Sequence, residues 1–305
     1  MKKIAYVAHD HGPRATLEAL AVHLPGDWSS RGADVLICGT SDSCGGREIE
    51  AHARKAARAR GTSVVVIEDF PGNYVAVPDG EPQLLVVESE FAALLARAKD
   101  KAVAIEICPC VRYDALRRRL PDLRKEAGHT KAAVLWVGQP ETRDSLETLQ
   151  QLMPELTARG MAVWFRAHPR DEGYRADAYG GLCFEDVTAL SLDECLSMRP
   201  RLVVTQFSSV AVEAGFWGIC GLNVLFPDLG ARTLVQRKGY AVPPWCEAGA
   251  AFVISREKDV PEVLDRAFDS REARASVMAA FDRYYCVAED GGQRLMKNLY
   301  NHGLL

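Results

Sequence analysis

Short apolar runs alternate along this chain with longer stretches whose apolar residues recur at helical spacing. Residues 3–8 form the first run, which ends in the polar stretch HDHGPR, and the Ala/Leu-rich residues 14–24 follow. This reads as strand, tight turn and helix. The unit repeats with a strand at 34–38 and a helix at 47–60. A buried run, SVVVI (Ser63–Ile67), ends at Glu68-Asp69, and Leu84–Val87 ends at Glu88-Ser89-Glu90 before a helix at 91–98. A fifth run, 102–107, ends at Cys108-Pro109. Apolar strands separated by helices predict a parallel sheet covered on both faces.

The charged residues 112–131 begin as a helix and then read as a linker with a solvated basic face. The pattern then restarts. Strands are expected at 133–137, 162–165, 202–205, 222–225 and 251–254. A long helix is expected at 142–159, where Leu146, Leu149, Leu152, Met153 and Leu156 make one apolar stripe. Val210–Phe216 opens a further helix. Residues 259–285, broken near Ser270, and 292–300 close the chain as helices. The expected organisation is a doubly wound α/β domain at 1–128, a second at 129–288, and a terminal helix at 289–305 that packs back on the first. Ligands of open α/β sheets bind beyond the carboxyl ends of the strands. Every polar motif noted here lies at such an end, so both domains are expected to serve one cleft.

Composition narrows the picture. The 305 residues carry 37 Lys+Arg and 41 Asp+Glu, a net charge of −4, with 48% hydrophobic residues. That is a globular chain of about two domains at roughly 150 residues each, and it argues against a nucleic-acid binder. The most apolar stretch, residues 210–226, is interrupted by Glu213 and Asn223, and the N-terminus lacks the apolar run of a signal peptide. A cytoplasmic location follows as the expectation. Peripheral membrane contact through the basic helix at 47–60 stays open, as does the oligomeric state. The nine cysteines include no CxxC pair, which favours reduced, mostly buried thiols over a zinc site.

Several residues could carry chemistry. Ser208 and Ser209 leave a strand and open a helix. One serine there can cap the helix, while two, with the free amides of the first turn, can hold a phosphate at the positive end of the helix dipole. Glu213, one turn further on, can hold a ribose through its two hydroxyls or pair with an arginine. His168, fixed before Pro169 at a strand end, can donate to a phosphate or serve structurally. Gly138 and Arg143 occupy the first turn of the second domain as phosphate-side candidates, and Arg143 suits a surface position equally well. In the first domain, Asp10 and His11 are candidate general bases beside Gly12, which permits close backbone approach. Asp10 as a helix cap is the alternative, and Glu68, Asp69, Glu88 or Glu90 could be the base instead. No metal site is expected. GxGxxG, GxSxG and P-loop signatures are missing, and no Asp-x-Asp stands beyond a strand, since Asp177 is followed by Tyr179 at the decisive position.

The segments Val163-Trp164-Phe165-Arg166-Ala167-His168-Pro169 and Val204-Thr205-Gln206-Phe207-Ser208-Ser209 resemble the HP and SS motifs of bacterial cell-envelope transferases with GT-B folds. These are the capsule sialyl- and polysialyltransferases and the CDP-glycerol glycerophosphotransferases. Glu289-Asp290-Gly291-Gly292-Gln293-Arg294 is similar to the DG-plus-arginine ending of the glycerophosphotransferases. Glu213-Ala214 is similar to the ribose-binding turn of nucleotide-sugar glycosyltransferases and 2-epimerases. The resemblance covers mainly residues 130–300. It implies two Rossmann-like domains, with His168, Ser208 and Ser209 on the donor's nucleotide phosphate. Two features depart from it: the first domain lacks the acidic motif that supplies the sialyltransferase base, and Gln206 stands where the glycerophosphotransferases often have an acid.

The resulting expectation is a metal-independent inverting transferase. It would move a sugar or polyol phosphate from a nucleotide-activated donor of unknown base to a hydroxyl of a glycan or small molecule, in surface glycan or glycoconjugate synthesis. It would need no further cofactor. The alternatives are a nucleotide-sugar 2-epimerase or hydrolase of the same fold, and a non-catalytic nucleotide-sugar-binding protein.

Overall fold

A computed structural model describes residues 2–28, 32–125, 131–171, 181–287 and 290–305. The chain divides into two compact units, one made of Met1–Ala115 with Val287–Leu305, the other of Leu116–Cys286. Asp177, Tyr179, Glu289 and the last expected linker residues, 126–130, lie outside the described residues.

The first unit holds a parallel sheet of β1 (Ile4–Val7), β2 (Val35–Cys38), β3 (Ser63–Ile67), β4 (Leu84–Val87) and β5 (Ile105–Ile107), side by side in sequence order. Successive side chains of a strand point to opposite faces, so the apolar runs feed two cores. Ile4, Tyr6, Val35, Ile37, Val65 and Ile67 pack with Leu17 and Leu20 of α1 (His11–Ala21) and with Leu295 and Leu299 of the C-terminal helix Gly291–Asn301. Ala5, Leu36, Cys38, Val64 and Val66 pack on the other face with Ala57 of α2 (Cys44–Ala59) and Ala92, Ala93 and Ala96 of α3 (Glu90–Lys99). Serines start both of these helices: Ser43 Oγ accepts from Gly46 N, and Ser89 accepts from Ala92 N.

The C-terminal helix is held to the first unit at its N-terminus. Asp114 accepts from the amides of Gly291 (3.0 Å) and Gly292 (2.9 Å), and Asp290 accepts from Gln293 N. Carboxylates at this end meet the free amides and the positive end of the dipole. Glycine is required at 291, where a Cβ would stand 2.3 Å from the backbone oxygen of Pro109, and a Cβ on Gly292 would stand 2.3 Å from the His23 ring and displace it. The DG motif of the sequence is thus used here as a docking device.

The second unit is entered by α4 (Asp114–Lys125). Arg124 pairs with Asp282, and Arg199 donates to Leu123 O. These bonds place the end of α4 with the second unit. The sheet runs β11-β10-β9-β6-β7-β8, all parallel. Its strands are β6 (Lys131–Val137), β7 (Ala162–Arg166), β8 (Glu185–Asp186), β9 (Pro200–Thr205), β10 (Gly221–Val224) and β11 (Phe252–Ile254). The helices are α5 (Thr142–Ala158), α6 (Leu192–Ser197), α7 (Val210–Phe216), α8 (Gly230–Lys238), α9 (Pro244–Glu247), α10 (Val260–Phe268) and α11 (Arg271–Tyr285), and the C-terminal helix is then α12. The stripe on α5 faces the core: Leu149, Leu152, Met153 and Leu156 are buried, and Leu146 packs against them. The break expected near Ser270 is the N-cap of α11, where Ser270 accepts from Ala273 N.

Candidate functional site

Strand order in the second sheet reverses between β6 and β9, because β6 is followed by β7 on one side and β9 continues on the other. This is a topological switch point, where open α/β sheets leave a crevice beyond their strand ends. Val137 pairs with both Arg166 and Thr205. Gly138, His168 and the Ser208-Ser209 turn therefore leave three neighbouring strands at one end of the sheet. Gly138 N donates to Arg166 O (2.9 Å), and a Cβ on Gly138 would lie 3.6 Å from His168 N. That is ordinary contact, so packing alone does not demand a glycine there.

Pro169 favours an extended backbone at His168, and a turn follows in which Asp171 N donates to His168 O. Within it, Arg170 N donates to His168 Nδ1 at 3.0 Å. An imidazole whose Nδ1 accepts carries its proton on Nε2, so the ring presents a donor there.

Ser208 Oγ accepts from Val210 N at 3.3 Å, and Ser209 occupies the N-cap position of α7 without a side-chain cap bond. Both serines and Glu213 are half-buried. The helix behind them is positioned by its small residues. A Cβ on Gly215 would stand 2.3 Å from the Phe281 ring, and Gly218, at φ +73°, closes the helix. Ile219 N donates to Ala214 O and Gly218 N to Gly215 O, which is a Schellman ending.

Beneath the strand ends lies a neutral network that the sequence reading missed. Gln139 Nε2 donates to Thr205 Oγ1 (2.9 Å), and Gln206 Nε2 donates to Thr148 Oγ1 (2.9 Å). Asn223 Nδ2 donates to Gln206 O, and Trp245 Nε1 donates to Asn223 Oδ1. Gln206 is buried, so its amide braces the sheet end. A polar residue at the close of each apolar run was the available signal. Arg143 is 87% exposed and pairs with Glu147 one turn along α5.

The strand ends of the first unit carry carboxylates instead. Asp10 stands at the N-cap position of α1, yet its side chain caps nothing there. It reaches the β2–α2 turn, where it accepts from Asp42 N (2.9 Å), Ser43 N (2.8 Å) and Ser43 Oγ (2.5 Å). His9 Nδ1 lies 3.1 Å from Asp10 Oδ1, the oxygen that takes the Ser43 hydroxyl. His11 is exposed at the first residue of α1. A Cβ on Gly12 would lie 2.5 Å from Asp69 Oδ2, so this glycine makes room for the Asp69 carboxylate at the start of α1. Thr40 Oγ1 and Asn73 Nδ2 donate to Asp69 Oδ1.

Two further carboxyls are buried here. Glu50 accepts from Ser41 N (2.8 Å) and Ser41 Oγ (2.5 Å), and burial raises its pKa despite those bonds. Glu68 is pushed up to about 8 by burial, against the Tyr74 amide bond and the charge of Lys99, with Asp69 and Glu88 adding to the rise. Glu90, by contrast, is the first residue of α3. His23, Asp114 and Asp290 bring ligand atoms within 4.8 Å of one another. Both carboxylates, however, accept from amides of α12, which orients the trio toward a helix start. No helix of the described residues is long and apolar enough to cross a membrane. None of the nine cysteines is in a disulfide.

No family model and no curated protein matches the chain in sequence. Solved structures do match along nearly the whole length. The structure of S. aureus MnaA with UDP superposes with a TM-score of 0.66 at 12% identity, over 100% of this chain and 98% of that one. A Methanocaldococcus jannaschii UDP-GlcNAc 2-epimerase in complex with UDP-GlcNAc and UDP matches at 0.60 and 14%, over 96% and 82%. The wall teichoic acid polymerase TagF matches at 0.53 and 12%, over 98% and 89%. What these likenesses share with the two parallel α/β sheets described above is a fold, and the chain accordingly has two Rossmann-like domains of the GT-B type.

Proposed function

We propose that the second unit binds the nucleoside diphosphate of an activated sugar or polyol, and that the chain is a transferase that passes the activated group to a hydroxyl acceptor. The observation that carries this reading is the convergence of Gly138, His168, Ser208 and Ser209 on the strand ends at the β6/β9 switch point. Their donors are neutral: an imidazole N–H, two hydroxyls and the first-turn amides of α7. Preorganised donors of this kind stabilise charge as it develops on a leaving phosphate. The bond from the transferred carbon or phosphorus to the leaving phosphate oxygen breaks, and its electron pair goes to that oxygen, to which His168 Nε2–H donates. Glu213 takes the ribose hydroxyls. The acceptor oxygen forms the new bond to the transferred carbon or phosphorus and loses its proton to a general base. His11 suits that role better than Asp10, because both Asp10 oxygens already accept from the β2–α2 turn.

A second reading is a 2-epimerase or hydrolase, favoured by the fold likeness to MnaA and to the UDP-GlcNAc 2-epimerase. A melting-temperature screen against CMP, CDP, UDP, GDP, TDP and ADP tests nucleotide binding, since a ligand of the folded state raises the midpoint. One clear responder supports the reading and selects the donor, and no response to any of the six overturns it. Incubation with the matching activated sugar then separates the reactions. An epimerase or hydrolase converts donor alone, a transferase needs the acceptor, and a protein that binds without turnover in either mixture is a binder only.

A further inference from the structure

The loop between β3 and β4 is tied down by charged groups from three elements, of which Arg54 and Glu68 are buried. Lys99 of α3 donates to Gly72 O (2.6 Å) and Tyr74 O (2.9 Å). Arg54 of α2 donates to Val75 O (3.0 Å) and Gly80 O (2.9 Å), and its guanidinium lies over the Tyr74 ring. Glu68, at the end of β3, accepts from Tyr74 N at 2.8 Å through Oε1. The loop also carries Asp69, whose carboxylate packs against Gly12 at the start of α1.

Glu68 is the odd member of this set. Its side chain is 5% exposed, and its second oxygen, Oε2, is buried with no hydrogen-bond partner among the described residues. Lys99 donates to the loop carbonyls of Gly72 and Tyr74. Glu68 also lines a small cavity with Glu88, Thr16, Val86, Cys108 and Cys110, a predominantly apolar environment that offers one further carboxylate. A buried carboxylate with one backbone donor and one unsatisfied oxygen is costly, whereas the neutral acid is tolerated. The titratable groups around it are Asp69 beside it, Glu88 after β4, Lys99 of α3, Tyr74 of the loop, and the Cys108 and Cys110 thiols after β5.

We infer that Glu68 is a proton-dependent latch on the β3–β4 loop: it holds residues 69–80, and with them Asp69, in place while it carries a proton, and releases them when the proton is lost. Closing the loop buries Glu68 as an acid, and opening it exposes Glu68 to water, where it ionises at the ordinary carboxyl range. Opening therefore releases one proton, and each pH unit in the window between the two ionisations favours the open form about tenfold. Above the folded-state ionisation, placed at about 8, no proton remains to be released and the effect levels off.

The test is amide hydrogen exchange of loop 69–80 in the full chain between pH 5.5 and 9.5, corrected for the intrinsic rise of exchange with pH. Protection of the wild-type loop is expected to fall about tenfold per pH unit and to level off near pH 8. In Glu68→Gln, which keeps the acceptor for Tyr74 N and cannot ionise, protection is expected to be independent of pH. A wild-type loop whose corrected protection does not change with pH overturns the latch, and this arm needs no variant to fold. A Glu68→Gln chain that keeps the wild-type slope overturns the assignment to Glu68. A slope confined to peptides outside 69–80 overturns the assignment to this loop.

Discussion

The strand ends of the two units solve the same problem with opposite chemistry. In the first unit, carboxyls fill the space beyond the sheet: Asp10 and Asp69 tie turns together, and Glu50 and Glu68 are buried with raised pKa values. In the second, the corresponding space is built from amides and hydroxyls, with Gln139 bonded to Thr205, and Gln206 bonded to Thr148 and to Asn223. A lining of amides and hydroxyls leaves a helix N-terminus and an imidazole N–H able to meet an anion, with Glu213 as the acid in the first turn of that helix. An acidic lining repels a phosphate but accepts hydroxyls and protons. This contrast supports assigning the nucleotide to the second unit and proton handling to the first.

The contrast can be broken most forcefully by pH. Glu68 and Glu50 have folded-state pKa values above the ordinary 4.5. Their folded forms therefore hold protons that the unfolded chain releases, so the stability they confer is complete below about pH 4.5 and is lost as pH rises, for Glu68 up to about 8. One such group changes stability by at most about 1.4 kcal/mol per pH unit within that window. Glu68→Gln is expected to make urea-denaturation stability fall less steeply between pH 5 and 8. An unchanged slope would place the titration elsewhere. In the second unit, burial pulls Asp282 upward, but the Arg124 ion pair holds its carboxyl below the usual range. That contribution is present above the unfolded value and is lost as pH falls, the opposite sign.

Asp10→Ala removes the acceptor of two backbone amides and a hydroxyl, and an expected loss of about 3 kcal/mol follows from hydrogen bonds to a charged group. Differential denaturation of variant and wild type measures it, and a loss within 0.5 kcal/mol, on the order of an ordinary surface change, would contradict the bracing role. His168→Ala is expected to lower turnover of the donor about hundredfold, or about 2.7 kcal/mol in the barrier, with little change in melting temperature. Equal turnover would remove His168 from the chemistry. Replacing both Ser208 and Ser209 by Ala should weaken nucleotide binding about tenfold, as read by titration calorimetry. Arg143→Ala is the smallest effect. An exposed ion pair of this kind contributes less than about 0.5 kcal/mol, and a larger loss of nucleotide affinity would restore Arg143 as a phosphate ligand.

Much of the architecture was legible because buried parallel strands write themselves as apolar runs. Ser63–Ile67, Leu84–Val87 and Val210–Phe216 occur where the pattern places them. The elements that escaped are short or weakly apolar. β8 has two residues and α9 four, and α8 reads GARTLVQRK, with too few apolar positions to show a period. Motif positions were legible for the same reason, since polar residues end each run. Their bonding was not. Nothing in HDHGPR tells that Asp10 reaches across to Ser43, because that bond spans 33 positions in the chain. Likewise Gly12 reads as room for a ligand, whereas a carboxylate of the same chain takes that room.

The docking of α12 has a consequence for how the chain is made. Leu295 and Leu299 belong to the core of the first unit, and Asp114 waits for the amides of Gly291 and Gly292. During synthesis from the N-terminus, the first sheet emerges long before these residues do. Its outer face stays uncovered while the whole second unit is translated, a delay of roughly ten to thirty seconds at ordinary elongation rates. The half of the molecule that is made first is therefore the half that is completed last.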